Sequence, residues 1–383
     1  MSLGNITVVP VRTRSELRRF AGFNVRLYRD NPYAVPELIT DTKNAFTPSG
    51  NAAFDFCEAQ PFIAVMDGKV VGRVAAIINY KANEAWKVRT VRFGWIDFID
   101  DIRVSGALLD AVSAWGKERS MDRLEGPFGF TDFDPEGMLT EGFDRIGTMA
   151  TIYNYPYYPQ HMERLGLKPS AVWVEWIIRF NSTVPPKIER ISNIVLERKN
   201  LHLARFAHSK RQEARLYAIK LFELVNETYN TLYGYSAFSD KQIRNFVNRY
   251  LFMLDKKLAV ILLDSDNEIV AAALTMTSIA KALQKAKGRL FPIGWWYLLK
   301  ALKWRKSDVV ESLFIAVKPE YQNQGLTAVL LRELGVNASG AGYRYAESNP
   351  ELEDNMKIQN HWEYYPGSEI VRRRKVFYMK IEN

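Results

Sequence analysis

The chain has 383 residues, 47% hydrophobic and 25% charged, a globular balance that excludes wholesale disorder and leaves room for two domains. Lysine and arginine number 52 against 43 acidic residues, a net charge of +9, so the placement of the excess matters more than its sum. One cysteine, Cys57, excludes an intrachain disulfide and a cysteine-rich zinc site. His161, His202, His208 and His361 show no ligand spacing, so no metal is expected. This composition suits a reducing cytoplasm. Val8, Val9 and Val11 are too short a run for a signal peptide. No apolar stretch reaches the roughly 18–20 residues of a spanning helix, which argues against a transporter or channel.

In chain order, residues 62–66 and 70–77 predict two strands joined by Asp67-Gly68, a dipeptide suited to a tight hairpin. Residues 91–98 predict a further strand and 105–119 a helix. Residues 126–134 mix aromatics with acids, and read either as a loop packed by its aromatics or as the lining of an amine cleft. Residues 181–190, with Pro185 and Pro186, predict a break dividing the chain into units 1–185 and 186–383. Ala218, Leu221, Phe222, Val225 and Tyr229 then form one apolar face of a helix over 211–230. Ser239 is an N-cap for a helix reaching about Leu254. Residues 258–263 and 269–274 predict a second hairpin, 309–317 a strand and 326–334 a helix. Hairpin, strand and helix thus occur twice, and the expected class is α/β (α+β): two tandem units, each a mixed, largely antiparallel sheet flanked by helices.

An insertion at 281–306 separates the last two strand predictions. It holds Lys281, Lys285, Lys287, Arg289, Lys300, Lys303, Arg305 and Lys306 with no acidic residue, beside Phe291, Trp295, Trp296, Tyr297 and Trp304. Three readings stay open. The tryptophans pack a core under a basic rim. Or the segment lies on a membrane surface, with Trp and Tyr at headgroup depth and the bases on anionic lipid. Or it contacts nucleic acid, which no recognised motif supports as a partner. Arg372, Arg373, Arg374 and Lys375 read as a solvated strand edge.

Residues 309–331 run from an apolar strand through Gln322-Asn323-Gln324-Gly325-Leu326-Thr327 into an apolar helix. A glycine turn before a helix presents backbone N–H groups to an anion, most naturally a phosphate. The spacing Gln322-x-x-Gly325-x-Thr327 resembles the phosphate loop of the GNAT superfamily of acyl-CoA-dependent N-acyltransferases, Gln/Arg-x-x-Gly-x-Gly/Ala, with Thr327 departing at the last position. The resemblance implies an acyl-CoA cosubstrate, acetyl or longer. Its pyrophosphate would lie on Gln322, Asn323, Gln324, Gly325, Leu326 and Thr327. Its pantetheine would lie against Ile315, Val317 and Asn355, where the strand splays from its neighbour. Glu311 would be the general base, with Glu347 the rival, and Tyr364 the general acid, with Tyr365 the alternative.

Residues 157–167 resemble that family's final helix, yet the first half lacks the loop, and Asp97, Asp100 and Asp101 would repel a diphosphate. The first unit is therefore expected to be degenerate. Residues 11–20 and 27–33 resemble a bacterial family of two-unit GNAT proteins, some implicated as ceramide synthases. This implies acyl transfer from acyl-CoA to a small-molecule primary amine or a lipid amine such as a sphingoid base, in the cytoplasm or at the inner membrane face. The alternatives are a non-catalytic tandem binding or scaffold protein and an aminoacyl-tRNA-dependent transferase.

Overall fold

The computed structural model describes residues 4–180, 184–230, 232, 234–304, 307–362 and 364–382. The first half runs β1 (Ile6–Pro10), α1 (Arg14–Leu27), α2 (Ile39–Ala45), β2 (Cys57–Met66), β3 (Lys69–Asn79), α3 (Tyr80–Trp86), β4 (Thr90–Phe98) and α4 (Ile102–Lys117). It continues with β5 (Arg123–Gly126), β6 (Met138–Glu141), α5 (Tyr157–Arg164) and β7 (Lys168–Arg179). The first hairpin turns where Asp67 and Gly68 both take positive φ, 48° and 75°, the conformation that matches strand twist. Thr13 and Glu16 form a reciprocal capping box that starts α1.

The second half begins with α6 (Pro186–Lys199), β8 (His202–Leu203), α7 (Arg211–Thr228), α8 (Asp240–Tyr250), β9 (Ala259–Leu263) and β10 (Ile269–Thr277). Then come α9 (Ala280–Ala286), α10 (Gly294–Trp304), β11 (Val309–Val317), α11 (Leu326–Gly340), β12 (Tyr345–Glu347), β13 (Glu351–Leu352), α12 (Met356–Trp362) and β14 (Glu369–Lys380). Pro186, expected in a break, opens α6 at a position where a missing N–H costs nothing. Asn181, Ser182 and Thr183 lie outside the described residues. Ser239 caps α8 as expected, and the helix ends at Tyr250 in a short 3-10 turn.

Two compact units result. The first takes the chain up to Val174, Ala280–Leu299 and the chain from Arg372; the second takes Glu175–Ile279 and Lys300–Val371. In the first, β1, β2, β3 and β4 pair antiparallel in sequence, β5 adds in parallel to β4, and β14 pairs antiparallel with β5 and β6. In the second the order is β7, β12, β11, β10, β9, β8, with the β11–β12 pair parallel. Each sheet is mixed, largely antiparallel and packed by helices, with Val104, Leu108 and Val112 of α4 in one core and Leu326, Val329 and Leu330 of α11 in the other.

Two expectations change. Arg372 and Arg374 are buried, not a solvated edge: their guanidiniums donate to the carbonyls of Ile146, Gly137 and Ile152, which take the place of water at those nitrogens. The tryptophans of the basic insertion are not core: Trp295, Trp296 and Trp304 are exposed, as are Phe291 and Ile293. The 126–134 segment is a loop packed by its aromatics, with Phe128 and Phe130 buried.

Candidate functional site

β11 organises the site. It runs antiparallel to β10 from Ala271↔Val317 to Thr277↔Val310, with a slip at Leu274/Thr275 that leaves Leu313 as the extra residue of a bulge. On its other side it pairs in parallel with β12 only at Val309–Glu311 against Tyr345–Glu347. Beyond that point the two strands part. Along the parted stretch, side chains meet the alternate carbonyls. Asn349 Nδ2 donates to Leu313 O at 2.8 Å, Tyr229 Oη to Ile315 O at 3.1 Å and Gln322 Nε2 to Val317 O at 3.2 Å.

The bulge also resets which face each side chain takes. Before it, Val310 and Ser312 face α11, so Glu311 faces the other way. After it, Ile315 and Val317 pack against the core that α11 fills. Glu311 is 2% exposed and sits directly beside Glu347 on the last paired positions, in a row with Met276 and Ile177. The two carboxylates expected as rival bases are thus cross-strand neighbours on one face, where the strands separate.

At the end of β11 the loop turns sharply. Asn323 and Gly325 take positive φ, 59° and 85°. A Cβ on Gly325 would lie 2.9 Å from Val195 and 3.0 Å from Ile191, so glycine is required both by conformation and by the close approach of α6. Gly325 is the N-cap of α11, no side chain caps it, and the first turn of the helix carries no acid. Its N–H groups and dipole suit an anion. Gln322 and Asn323 are exposed, Gln324 and Thr327 are half-buried, and Leu326 is buried, so Leu326 offers only its backbone. Gln324 Nε2 donates to Glu320 O.

Asn355 is half-buried just ahead of α12, its N–H donating to Leu352 O at 2.9 Å. Tyr364 follows α12. Lys187 Nζ donates to its phenol oxygen at 2.8 Å and lies 4.0 Å from the ring centre. Tyr365 is buried, and burial pushes its phenol above the ordinary range. Tyr364 and Ile315 pack against one apolar cluster that contains Tyr365 and Trp362.

Three groups at this place were absent from the expectation: Asn349, Tyr229 and Glu351. Burial pushes the Glu351 carboxyl up to about 8, although Trp362 Nε1 donates to it at 3.1 Å. Burial also raises the Tyr229 phenol, and the Glu351 charge adds to this. Tyr229 belongs to the apolar face expected over 211–230. A carboxylate between a strand and a helix that both border the opening was the available signal.

No family model matches the chain. Over 313 residues it is 27% identical to Protein YghO of Escherichia coli (strain K12), spanning 81% of this chain and 78% of that one. Over 325 residues it is 26% identical to Bacterial ceramide synthase of Caulobacter vibrioides (strain NA1000 / CB15N), spanning 83% and 82%. Among solved structures, a tandem GNAT protein from the clavulanic acid biosynthesis pathway matches with a TM-score of 0.56 at 11% identity over 99% of both chains. The chain has the tandem GNAT fold. A conserved protein of unknown function from Enterococcus faecalis V583, described as a probable N-acyltransferase, also matches, with a TM-score of 0.50 at 9% identity over 99% of this chain and 73% of that one. Within this fold, the opening between β11 and β12 and the uncapped start of α11 both belong to the second unit. No described helix is long and apolar enough to cross a membrane. Among the described residues, no group of three or more His, Cys, Asp and Glu is placed to hold a metal.

Proposed function

We propose that the second unit transfers an acyl group from acyl-CoA to a primary amine. The observation that carries this reading is the parting of β11 from β12 beside the uncapped, glycine-started N-terminus of α11. The N–H groups over residues 322–327 suit the diphosphate. Ile315 and Val317 lie on the parted stretch beside the pantetheine arm, whose amides would displace Tyr229 and Gln322 from their carbonyls, with Asn355 at its side. Acyl-CoA supplies the activated thioester carbonyl.

An ammonium has no lone pair, so a base must take its proton before nitrogen attacks the thioester carbon. Glu311 takes that proton, with Glu347 beside it. As the C–S bond breaks, Tyr364 returns a proton to the thiolate. Lys187 donates to the phenol oxygen, which leaves the phenol O–H to act as donor.

The relative from Caulobacter vibrioides is described as a bacterial ceramide synthase, and α10 exposes Trp295, Trp296 and Trp304 on a segment without acids. On these grounds we assign a lipid amine such as a sphingoid base as the acceptor, and the basic insertion as a contact with anionic membrane.

The test is a CoA-dependent thermal shift paired with free-thiol release. The wild type is expected to show both with acyl-CoA and a sphingoid base. Gly325→Glu, which adds a negative charge to the loop and drives a Cβ against α6, is expected to lose the shift. Glu311→Gln is expected to keep the shift and lose on the order of 10²–10⁴ in turnover. A normal shift in Gly325→Glu would falsify the placement of the site.

A further inference from the structure

We propose that the indole N–H of Trp176 donates to the carbonyl oxygen of the bound thioester, which makes Trp176 a catalytic residue of the second unit. This rests on the acyl-CoA reading of the site.

Trp176 lies on β7, within the second unit. It stands one position beyond the last β7–β12 pair, Ile177↔Glu347. There it meets Ser348: Ser348 N–H donates to Trp176 O at 2.9 Å, and Trp176 N–H to Ser348 Oγ at 3.0 Å. The next residue, Asn349, reaches across to Leu313 O at the bulge of β11. Trp176 is therefore level with the place where β11 and β12 part. Strand alternation sets its face. Ile178, two residues on, packs with Ala328 and Leu331 of α11, so Trp176 takes the α11 side. It packs there against the cluster of Trp362 and Tyr365, as Tyr364 does. Glu311 and Glu347 take the opposite face.

The indole nitrogen stands out. Trp176 is half-buried, but its Nε1 is fully buried and makes no hydrogen bond among the described residues. Trp362, in the same cluster, has its Nε1 bonded to both oxygens of Glu351 at 3.1 Å. A buried donor left without an acceptor is costly, so its persistence beside the opening calls for a ligand oxygen. Its surroundings, Ile178, Ile188 and Leu331, are apolar, and a donor held in an apolar site acts most strongly on charge that develops there.

The amine, freed of one proton on the Glu311 face, gives its lone pair to the thioester carbon. The carbonyl π pair moves onto oxygen, and the Trp176 N–H holds that charge without giving up its proton. The pair then re-forms the carbonyl, the C–S bond breaks and sulfur takes the Tyr364 proton. The second proton of the attacking nitrogen replaces it. The base lies on one face of the sheet and both donors on the other.

In the ¹⁵N-labelled full chain, the Trp176 indole resonance is assigned by its loss in Trp176→Phe. It is expected to move downfield with acetyl-CoA and to stay in place with CoA. Trp176→Phe keeps an aromatic ring and removes the N–H. It is expected to bind acetyl-CoA as the wild type does. With a sphingoid base and the acyl-CoA that the wild type turns over fastest, it is expected to lose on the order of 10²–10³ in kcat at unchanged KM. Should that variant misfold, 5-fluorotryptophan placed at residue 176 alone carries the same comparison of acetyl-CoA with CoA. Equal shifts with CoA and acetyl-CoA would assign the indole to the pantetheine arm and overturn the proposal. So would bound acetyl-CoA that leaves the resonance unmoved, or a variant that raises KM and keeps kcat. These outcomes leave the acyl-CoA reading standing, whereas absence of binding by both CoA and acetyl-CoA overturns the two together.

Discussion

The chain builds one strand–turn–helix corner twice and finishes it in two ways. In the first unit β4 pairs in parallel with β5 over Thr90–Arg92 and Arg123–Glu125, as β11 does with β12. There the gap closes at once. Phe128 N–H donates to Phe93 O at 3.0 Å. Gly94 and Gly126 sit so close to backbone that a Cβ would fall 2.2 Å from Phe128 O and 2.1 Å from Phe93 O. Tyr157 and Tyr158 bond the carbonyl and N–H of Phe98 at 2.7 and 3.0 Å. The carboxylate of Asp101 accepts from Arg103 N–H at 3.0 Å, capping α4 where an anion would otherwise bind. In the second unit the strands stay apart and Gly325 has no side chain to offer. Along β11 the carbonyls of Leu313, Ile315 and Val317 also meet side chains, so the contrast lies in the helix start, capped by Asp101 in the first unit and uncapped at Gly325 in the second.

The largest effect that would break this contrast lies in the first unit. Arg73 and Asp97 are 1% and 2% exposed and bonded at 2.7 Å, with Tyr28 and Asn24 also donating to Asp97. Asp97→Ala strips Arg73 of its fully buried partner and is expected to cost about 3–5 kcal/mol in denaturant unfolding. Asp101→Ala removes only a helix cap and is expected to cost about 1 kcal/mol. Equal losses from the two would mean that the buried pair does not hold the corner shut.

The second effect belongs to the open corner. Glu351 has a folded value of about 8, above the roughly 4.3 of an unfolded chain. Between those values the folded protein keeps a proton that the unfolded chain has lost. This contribution is fully present below about pH 4.3 and disappears as pH rises through 8. Stability of the wild type is therefore expected to fall from about pH 5 to pH 8, and Glu351→Gln to flatten that slope. Thermal unfolding across the range checks it, and parallel slopes would place the carboxyl in water.

Local chemistry made part of this legible. Asp67-Gly68 specifies a turn by its own conformational preference, and the apolar run 309–317 before Gly325 specifies a buried strand entering a helix. Glu311 and Glu347 were each visible, but their adjacency depends on β11 and β12 pairing in parallel register. Tyr229 and Glu351 lie far apart in the chain, and the groups each bonds, Ile315 O and Trp362 Nε1, are set by the tertiary fold. Arg372 and Arg374 misled for the same reason: their acceptors are carbonyls more than two hundred residues away. The segment Ala280–Leu299 joins the first unit, through contacts such as Gln284 Nε2 to the carbonyls of Pro32 and Ala34 at 2.8 and 3.1 Å, which composition does not encode.

The smallest stability effect sharpens the contrast at that insertion. α9 is tied down, with Ala280, Ala282, Leu283 and Ala286 buried, whereas α10 buries only Gly294 among its described residues. Trp295 and Trp296 are 45% and 41% exposed, so alanine at either position is expected to change unfolding free energy by no more than about 0.5 kcal/mol. A core role would cost about 3–5 kcal/mol. Membrane contact predicts a different loss. Sedimentation with phosphatidylglycerol vesicles is expected to fall sharply in Trp295→Ala/Trp296→Ala, and phosphatidylcholine vesicles to bind the wild type weakly because the bases then have no anionic partner. Raised salt separates the two contributions, since it screens the lysines and leaves aromatic insertion in place. Unchanged sedimentation of the double variant on anionic vesicles would leave the exposed aromatics without a lipid role, and the acceptor amine would then have to reach the Glu311 face from solution.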